Sequence, residues 1–113
     1  MLAKKNRLTK REDFSAVYSK GSFLSLDGIS IKYAPSRNAE TRIGFSVGKN
    51  FSKKAVERNR IKRLLRNAAR THVESLKPGF DIIIIPKPVQ EKYEFAKIVT
   101  VFEHIFTKAK LLK

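Results

Sequence analysis

The sequence contains no cysteine and no tryptophan, and acidic residues are few. Without cysteine the chain has no disulfide framework and no thiolate metal site. Its longest unbroken aliphatic run is Ile82 to Ile85, far short of the roughly 20 residues that span a membrane. The polar start, residues 1–10, does not fit a secretory signal peptide. We therefore expect a cytoplasmic protein with no membrane partner.

Charge of one sign dominates the composition. The chain has 25 Lys and Arg against 10 Asp and Glu, a formal net charge of +15 over 113 residues. A small domain with this charge repels itself unless it meets a polyanion, and nucleic acid is the commonest one. The hydrophobic fraction of 42% is too high for a disordered tail. We expect one nucleic-acid-binding domain over residues 1–113, with a mobile basic arm over residues 1–8.

Hydrophobic periodicity predicts the order helix, strands, helix, strand, helix. The first helix has Thr9 as its N-cap and Glu12 as its capping-box partner. Its apolar face carries Phe14, Val17 and Tyr18, and Gly21 ends it.

Alternating residues predict strands over 28–34 and 42–47, and the continuous apolar run 80–85 predicts a central buried strand. Gly44 lies inside the second strand, where a ligand or another backbone approaches closely. Helices over 53–76 and 93–110 complete an α/β sandwich with a small central sheet. On the predicted strand over 28–34, Ile29, Ile31 and Tyr33 share one side, and Ser30 and Lys32 share the other.

The long helix carries the strongest functional signal. Residues 49–70 hold nine basic residues and one acid, Glu57, with Ser52 predicted as the N-cap. An ordinary solvated helix face mixes Glu with Lys, so this unmixed strip is interpreted as a phosphate-binding surface. The apolar arc is Ile61, Leu64, Leu65, Ala68, His72 and Leu76; the basic residues are Lys49, Lys53, Lys54, Arg58, Arg60, Lys62, Arg63, Arg66 and Arg70, and Asn59 and Asn67 accompany them.

Aromatic residues near these charges leave two interpretations open. Phe14 and Tyr18 share a helix face, and Tyr33 lies on a strand. Such rings stack the unpaired bases of single-stranded RNA at about 1–3 kcal/mol per base. Taken alone, the pattern favours the other interpretation, in which the rings belong to an ordinary hydrophobic core.

The chain offers little support for catalytic chemistry of its own. Metal-dependent hydrolysis of a phosphodiester needs clustered carboxylates, and only Glu12 and Asp13 are near neighbours in sequence. His72 lies on the buried arc as a core histidine, and His104 has no evident acid partner. We predict no catalytic residue in the chain, which disfavours a stand-alone nuclease.

Four segments together resemble the protein component of bacterial ribonuclease P. The most specific is Ala55–Arg66, which contains the family's Arg-Asn-Arg motif in a helical setting; the others are Arg7-Leu8 with the first helix, Gly44–Lys49, and Asp81–Pro86. The chain departs from the family's usual pattern at Asn50, where a basic residue is common, and at Tyr18, where Phe is common.

The resemblance implies a fold, two RNA partners and a metal ion. The fold is an α+β (α/β) sandwich like the second domain of ribosomal protein S5, with three helices, a mostly antiparallel mixed sheet of about four strands, and a left-handed βαβ crossover. The partners are the catalytic RNA and the 5′ leader of precursor tRNA, with Mg²⁺ held mainly by RNA. The basic helix would face the catalytic RNA, and Phe14, Tyr18 and Tyr33 would line a cleft for the leader.

Three alternative functions remain open from the residues alone. Another ribosomal-RNA-binding or ribosome-assembly protein could carry a similar basic helix. A DNA-binding module is disfavoured because no compact three-helix pattern surrounds the helix. A membrane-surface protein is disfavoured because the apolar side of the helix lacks Trp and Phe.

Overall fold

The computed structural model describes residues 2–88 and 93–113. Within these ranges three helices cover a four-stranded sheet, which confirms the predicted α+β class. The strands are β1 Ser22–Leu26, β2 Ile29–Pro35, β3 Arg42–Phe45 and β4 Phe80–Pro86, and the helices are α1 Arg11–Lys20, α2 Ala55–Arg70 and α3 Phe95–Lys108.

The sheet is mixed, with the strand order β1-β2-β4-β3. β2 pairs antiparallel with β1 and β4, whereas β3 runs parallel to β4 and is joined to it through α2. β4 lies inside the sheet, as its unbroken apolar sequence predicts, because a strand covered on both faces needs apolar residues at successive positions. The left hand of the β3–α2–β4 crossover stays a prediction.

β1 is the strand that hydrophobic alternation did not predict. Its five residues are all exposed or half-buried, and only Leu24 and Leu26 pack against the main core, so the strand lacks a strongly apolar face in the sequence. The sequence signal for it is the following turn, in which Asp27 and Gly28 have φ angles of 47° and 83°. An Asp-Gly pair adopts positive φ readily in a two-residue hairpin.

The two faces of the sheet pack against different helices. Ile31 of β2 and Ile82 and Ile84 of β4 lie in the main core with α2 and α3. The intervening residue Ile83 points the other way, into a smaller cluster with Val17 of α1. Alternation along β2 and β4 therefore decides which side chains lie beneath α1.

The amino-terminal segment is packed against the sheet, contrary to the expected mobile arm. Leu2 and Leu8 are only 2% and 3% exposed. The side-chain amide of the buried Asn6 donates a hydrogen bond of 2.9 Å to the Thr41 carbonyl. Residues 2–8 belong to the domain because burial of both leucines offsets the cost of ordering the segment.

The predicted N-cap of α1 is wrong by one residue. Lys10 holds the N-cap position instead of Thr9, and no side chain caps this end. The Leu8 N–H donates to the Ile43 carbonyl at 3.0 Å, which keeps the chain extended up to Lys10. Gly21 ends the helix, as predicted.

α2 ends earlier than the predicted helix over 53–76. The helix stops at Arg70, and a short 3₁₀ turn follows. Leu76 lies beyond it in a β-bridge with Leu112, next to a 2.7 Å hydrogen bond from the Lys77 N–H to a backbone carbonyl near the carboxyl terminus. The backbone around Leu76 therefore pairs with the carboxyl-terminal segment instead of continuing the helix that the local hydrophobic pattern predicts.

Candidate RNA interface

α2 presents an apolar side to the core and a cationic side to solvent. Ile61, Leu65 and Ala68 are at most 4% exposed and follow the helical spacing of the predicted arc. Leu64 is half-buried. On the other side Asn59, Arg60, Arg63, Asn67 and Arg70 are exposed, and Arg58, Lys62 and Arg66 are half-buried. The predicted separation of the two sides is confirmed.

Carboxylates do not neutralise α2 in the part of the chain that the structure describes. The ion pairs there involve Lys5 and Arg42, both outside the helix. The helix's own acid, Glu57, lies in the first turn, where a negative charge favours the helix dipole. The cationic side is therefore available for phosphate groups, which arginine binds through paired N–H donors.

The turn before α2 adds three exposed cations, Lys49, Lys53 and Lys54. Ser52, the predicted N-cap, belongs to this turn, and Lys54 holds the N-cap position. The Ser52 hydroxyl accepts a 3.2 Å hydrogen bond from the Lys54 N–H, and its carbonyl accepts one of 2.9 Å from the Arg58 guanidinium. Because the Ser52 hydroxyl bonds the backbone two residues further on, it stabilises a turn instead of capping the helix. The helix therefore begins at Ala55 rather than at the predicted residue 53.

A second surface lies where α1 crosses the opposite face of the sheet. The Phe14 ring rests on β3 because Gly44 has no side chain; a Cβ at Gly44 would collide with the ring. Further along α1, Tyr18 is 41% exposed. The Lys32 ammonium lies 5.3 Å from the centre of the Tyr18 ring and 3.4 Å from the Tyr18 carbonyl, to which it donates. An exposed ring and a cation therefore stand side by side.

Tyr33 does not belong to this second surface. It pairs with Ile82 across β2 and β4, and both side chains pack on the main core. Its neighbour Lys32 pairs with Ile83, whose side chain lies beneath α1. The prediction that all three aromatic residues line one cleft is wrong for Tyr33, because successive strand residues point to opposite faces.

Phe23 is an exposed aromatic residue outside the predicted site. It lies on β1 directly opposite Lys32 and is 57% exposed. Paired residues of neighbouring strands point to the same face, so Phe23 lies on the face that α1 partly covers. The Asp27-Gly28 turn is the feature of the sequence that indicates a strand here.

Arg42 ties α1 to the sheet. Its guanidinium donates hydrogen bonds of 2.9 and 2.8 Å to the Asp81 carboxylate, and one of 3.2 Å to Asp13 in the first turn of α1. Hydrogen bonding to Asp81, reinforced by the negative charges of both aspartates, raises the pKa of Arg42 above its ordinary value despite burial. Both carboxylates are therefore neutralised locally, and α1 is held over β3 and β4.

Replacing Arg42 by glutamine is expected to lower the free energy of unfolding by about 2–4 kcal/mol. The Asp81 side chain is only 10% exposed and would lose its charged partner. Urea unfolding followed by circular dichroism measures the loss. Lys5→Gln is the control, because its 3.7 Å pair with Glu40 is exposed and such pairs contribute less than about 1 kcal/mol. Equal losses in both variants would contradict this role for Arg42.

No group of three His, Asp or Glu side chains within residues 2–88 and 93–113 could hold a metal ion. His72 is half-buried and lies beyond the end of α2 rather than on its buried arc; its Nε2 lies 2.9 Å from the Val99 carbonyl, and its ring packs edge-on against Phe106. His104 is exposed on α3.

The helices of the same ranges are all too short or too polar to cross a membrane.

The fold and its two surfaces define a small nucleic-acid-binding protein with a basic helix on one side of a sheet. A model of the family described as Ribonuclease P matches residues 2–110. The ribonuclease P protein component of Pseudanabaena sp. is 40% identical, with 99% of this chain and 97% of the relative covered. That of Bacillus velezensis is 37% identical, with 99% and 96% covered.

Solved structures agree with these relatives. The RNase P protein of Staphylococcus aureus superposes with a TM-score of 0.82 at 28% identity, covering 96% of this chain and 98% of that one. The protein from Thermotoga maritima gives 0.78 at 25% identity, covering 90% and 96%. The chain therefore belongs to the ribonuclease P protein family.

Membership of this family establishes the general function. The chain is an RNA-binding protein subunit of ribonuclease P, the ribonucleoprotein endonuclease of tRNA 5′ processing. Catalysis in the family is RNA-based. The predicted family, fold class and function are confirmed.

Proposed function

We propose that α2 and the turn before it bind the catalytic RNA of ribonuclease P. The observation that carries this proposal is the unmixed cationic side of α2, whose charges have no carboxylate partner among the described residues. Neutralising phosphates with this surface releases counterions and favours assembly. The proposed contacts are Lys49, Lys53, Lys54, Arg58, Asn59, Arg60, Lys62, Arg63, Arg66 and Arg70.

We propose further that the 5′ leader of precursor tRNA lies across the sheet beside α1. Unpaired bases stack on aromatic rings, and this surface carries the exposed ring of Tyr18 and the half-buried ring of Phe14, which packs on the small cluster beneath α1. Lys32 supplies a cation for the leader backbone beside Tyr18. Mature tRNA has no leader, so contacts made here favour the precursor alone.

On this proposal the protein acts through electrostatics and positioning. Catalytic RNA and precursor tRNA repel each other, and a surface with excess positive charge lowers that repulsion. Asp13 and Asp81 already share Arg42 and do not form a metal site. We therefore propose that RNA and substrate hold most of the Mg²⁺ of the holoenzyme. A cytoplasmic location is part of the proposal, in keeping with a chain without cysteine.

A natural absence of cysteine allows a direct test by site-specific crosslinking. Single cysteines replace Arg63 or Tyr18, each carries a short photo-crosslinker, and the holoenzyme is assembled with a bacterial ribonuclease P RNA and precursor tRNA. We expect Arg63→Cys to crosslink to the catalytic RNA and Tyr18→Cys to crosslink to the leader. Lys97→Cys, exposed on α3, is the control and should reach neither. The reverse pattern would contradict both assignments.

A further inference from the structure

β1 carries another exposed ring next to the proposed leader surface. Phe23 is 57% exposed, more than Tyr18 at 41%. It lies on an edge strand, since β1 pairs only with β2 in the described sheet. A large apolar side chain on an open edge strand favours edge-to-edge association between copies. A ligand that covers the ring would remove this liability.

Phe23, Lys32 and Tyr18 form one continuous strip. Phe23 and Lys32 are direct cross-strand partners, which places their Cβ atoms about 4.5–5.5 Å apart. The Lys32 ammonium reaches to 5.3 Å from the centre of the Tyr18 ring. On the same face Ser30 donates a 3.1 Å hydrogen bond to Ser25. Lys32 therefore has an exposed ring on each side, Phe23 across the strand pair and Tyr18 on α1.

Charge around this strip favours an anionic ligand. β1 and β2 contain no acidic residue, and Lys20 ends α1 just before β1. Asp13, on α1, is held by Arg42 and does not oppose an approaching phosphate. An open ring beside a cation suits an unpaired base with its phosphate, because every base has a stacking face and every nucleotide a negative charge.

We propose that Phe23 is a stacking platform for one unpaired base of the leader, beyond the bases at Phe14 and Tyr18. Lys32 binds the phosphate between the two stacked positions. This inference rests on the proposed function, because it extends the same leader path to the edge of the sheet. Since the ring lies on an open surface, the contribution is at the low end of base stacking, about five- to tenfold in affinity.

An abasic scan of the leader tests the platform. The holoenzyme, assembled from the full chain and a bacterial ribonuclease P RNA, is titrated with precursor tRNAs that each lack one leader base, under conditions that block cleavage. We expect Phe23→Ala to weaken binding of the intact precursor about five- to tenfold and to leave mature tRNA unchanged. At one leader position, removing the base should weaken binding to the unaltered protein but add no further loss in Phe23→Ala.

Phe23→Tyr is the matched control, because it keeps the ring and should bind the precursor like the unaltered protein. Unchanged precursor affinity in Phe23→Ala would overturn the platform. So would an equal loss for mature tRNA, or an abasic profile identical to that of the unaltered protein. The proposed function is judged separately, by the preference of the unaltered protein for precursor over mature tRNA and by the loss of that preference in Tyr18→Ala.

Discussion

Replacing both Arg63 and Arg66 by glutamate is expected to weaken assembly with the catalytic RNA on the order of 100-fold near physiological salt. Each replacement removes a cation from a strip without carboxylate partners and adds a charge that repels phosphate. The dependence of the logarithm of affinity on the logarithm of salt should flatten by about 0.7–0.9 for each phosphate that the variant no longer neutralises. Filter binding over a salt series measures both quantities.

A matched double reversal on α3, Lys97→Glu with Lys108→Glu, controls for the change in net charge. Both lysines are exposed and lie outside the α2 surface. We expect a small loss of affinity and an unchanged salt slope. If the α2 variant keeps the salt slope of the unaltered protein, α2 is not the face that binds the RNA.

Tyr18→Ala is expected to weaken binding of precursor tRNA to the holoenzyme by about tenfold and to leave mature tRNA binding unchanged. The ring is 41% exposed and carries the Lys32 ammonium above it, so its loss removes a stacking face and frees the cation. Phe14→Ala should act in the same direction. It also removes packing against Gly44. Equilibrium binding of both tRNAs measures the ratio.

Tyr18→Phe keeps the stacking face and should retain the preference for precursor tRNA. An equal loss of affinity for precursor and mature tRNA in Tyr18→Ala would show that the residue supports the fold or the assembly rather than the leader. That outcome would contradict a leader surface beside α1.

The apolar and cationic sides of α2 could be predicted from the sequence because one helix carries the whole pattern. Ile61, Leu65 and Ala68 recur at helical spacing, and the basic residues fall on the opposite side. The limits of the helix depend on distant segments. Leu76 pairs with Leu112, and the helix propensity of neighbouring residues does not predict a contact between positions so far apart in the sequence. The predicted long helix was therefore right in its faces and wrong at its end.

The surface beside α1 is formed by residues from several elements, and the sequence predicted its members less accurately than those of α2. Alternation correctly placed Tyr33 with Ile29 and Ile31, but it does not say which helix covers that side. The resemblance assigned Tyr33 to a leader cleft beside α1, whereas the register places Lys32, not Tyr33, on the face of the sheet that α1 covers. Phe23 escaped prediction because the inner face of β1, Leu24 and Leu26, is only half-buried, although its Asp27-Gly28 turn marks a hairpin.

Single-turnover cleavage of precursor tRNA at low Mg²⁺ tests the central claim most directly. A bacterial ribonuclease P RNA is assayed with the chain and without it, and the chain is assayed alone. We predict that the chain alone leaves the precursor intact and that its addition restores leader removal by the RNA. Cleavage by the chain alone would place catalytic chemistry in the protein, and no effect on the RNA would show that the chain does not serve as its subunit.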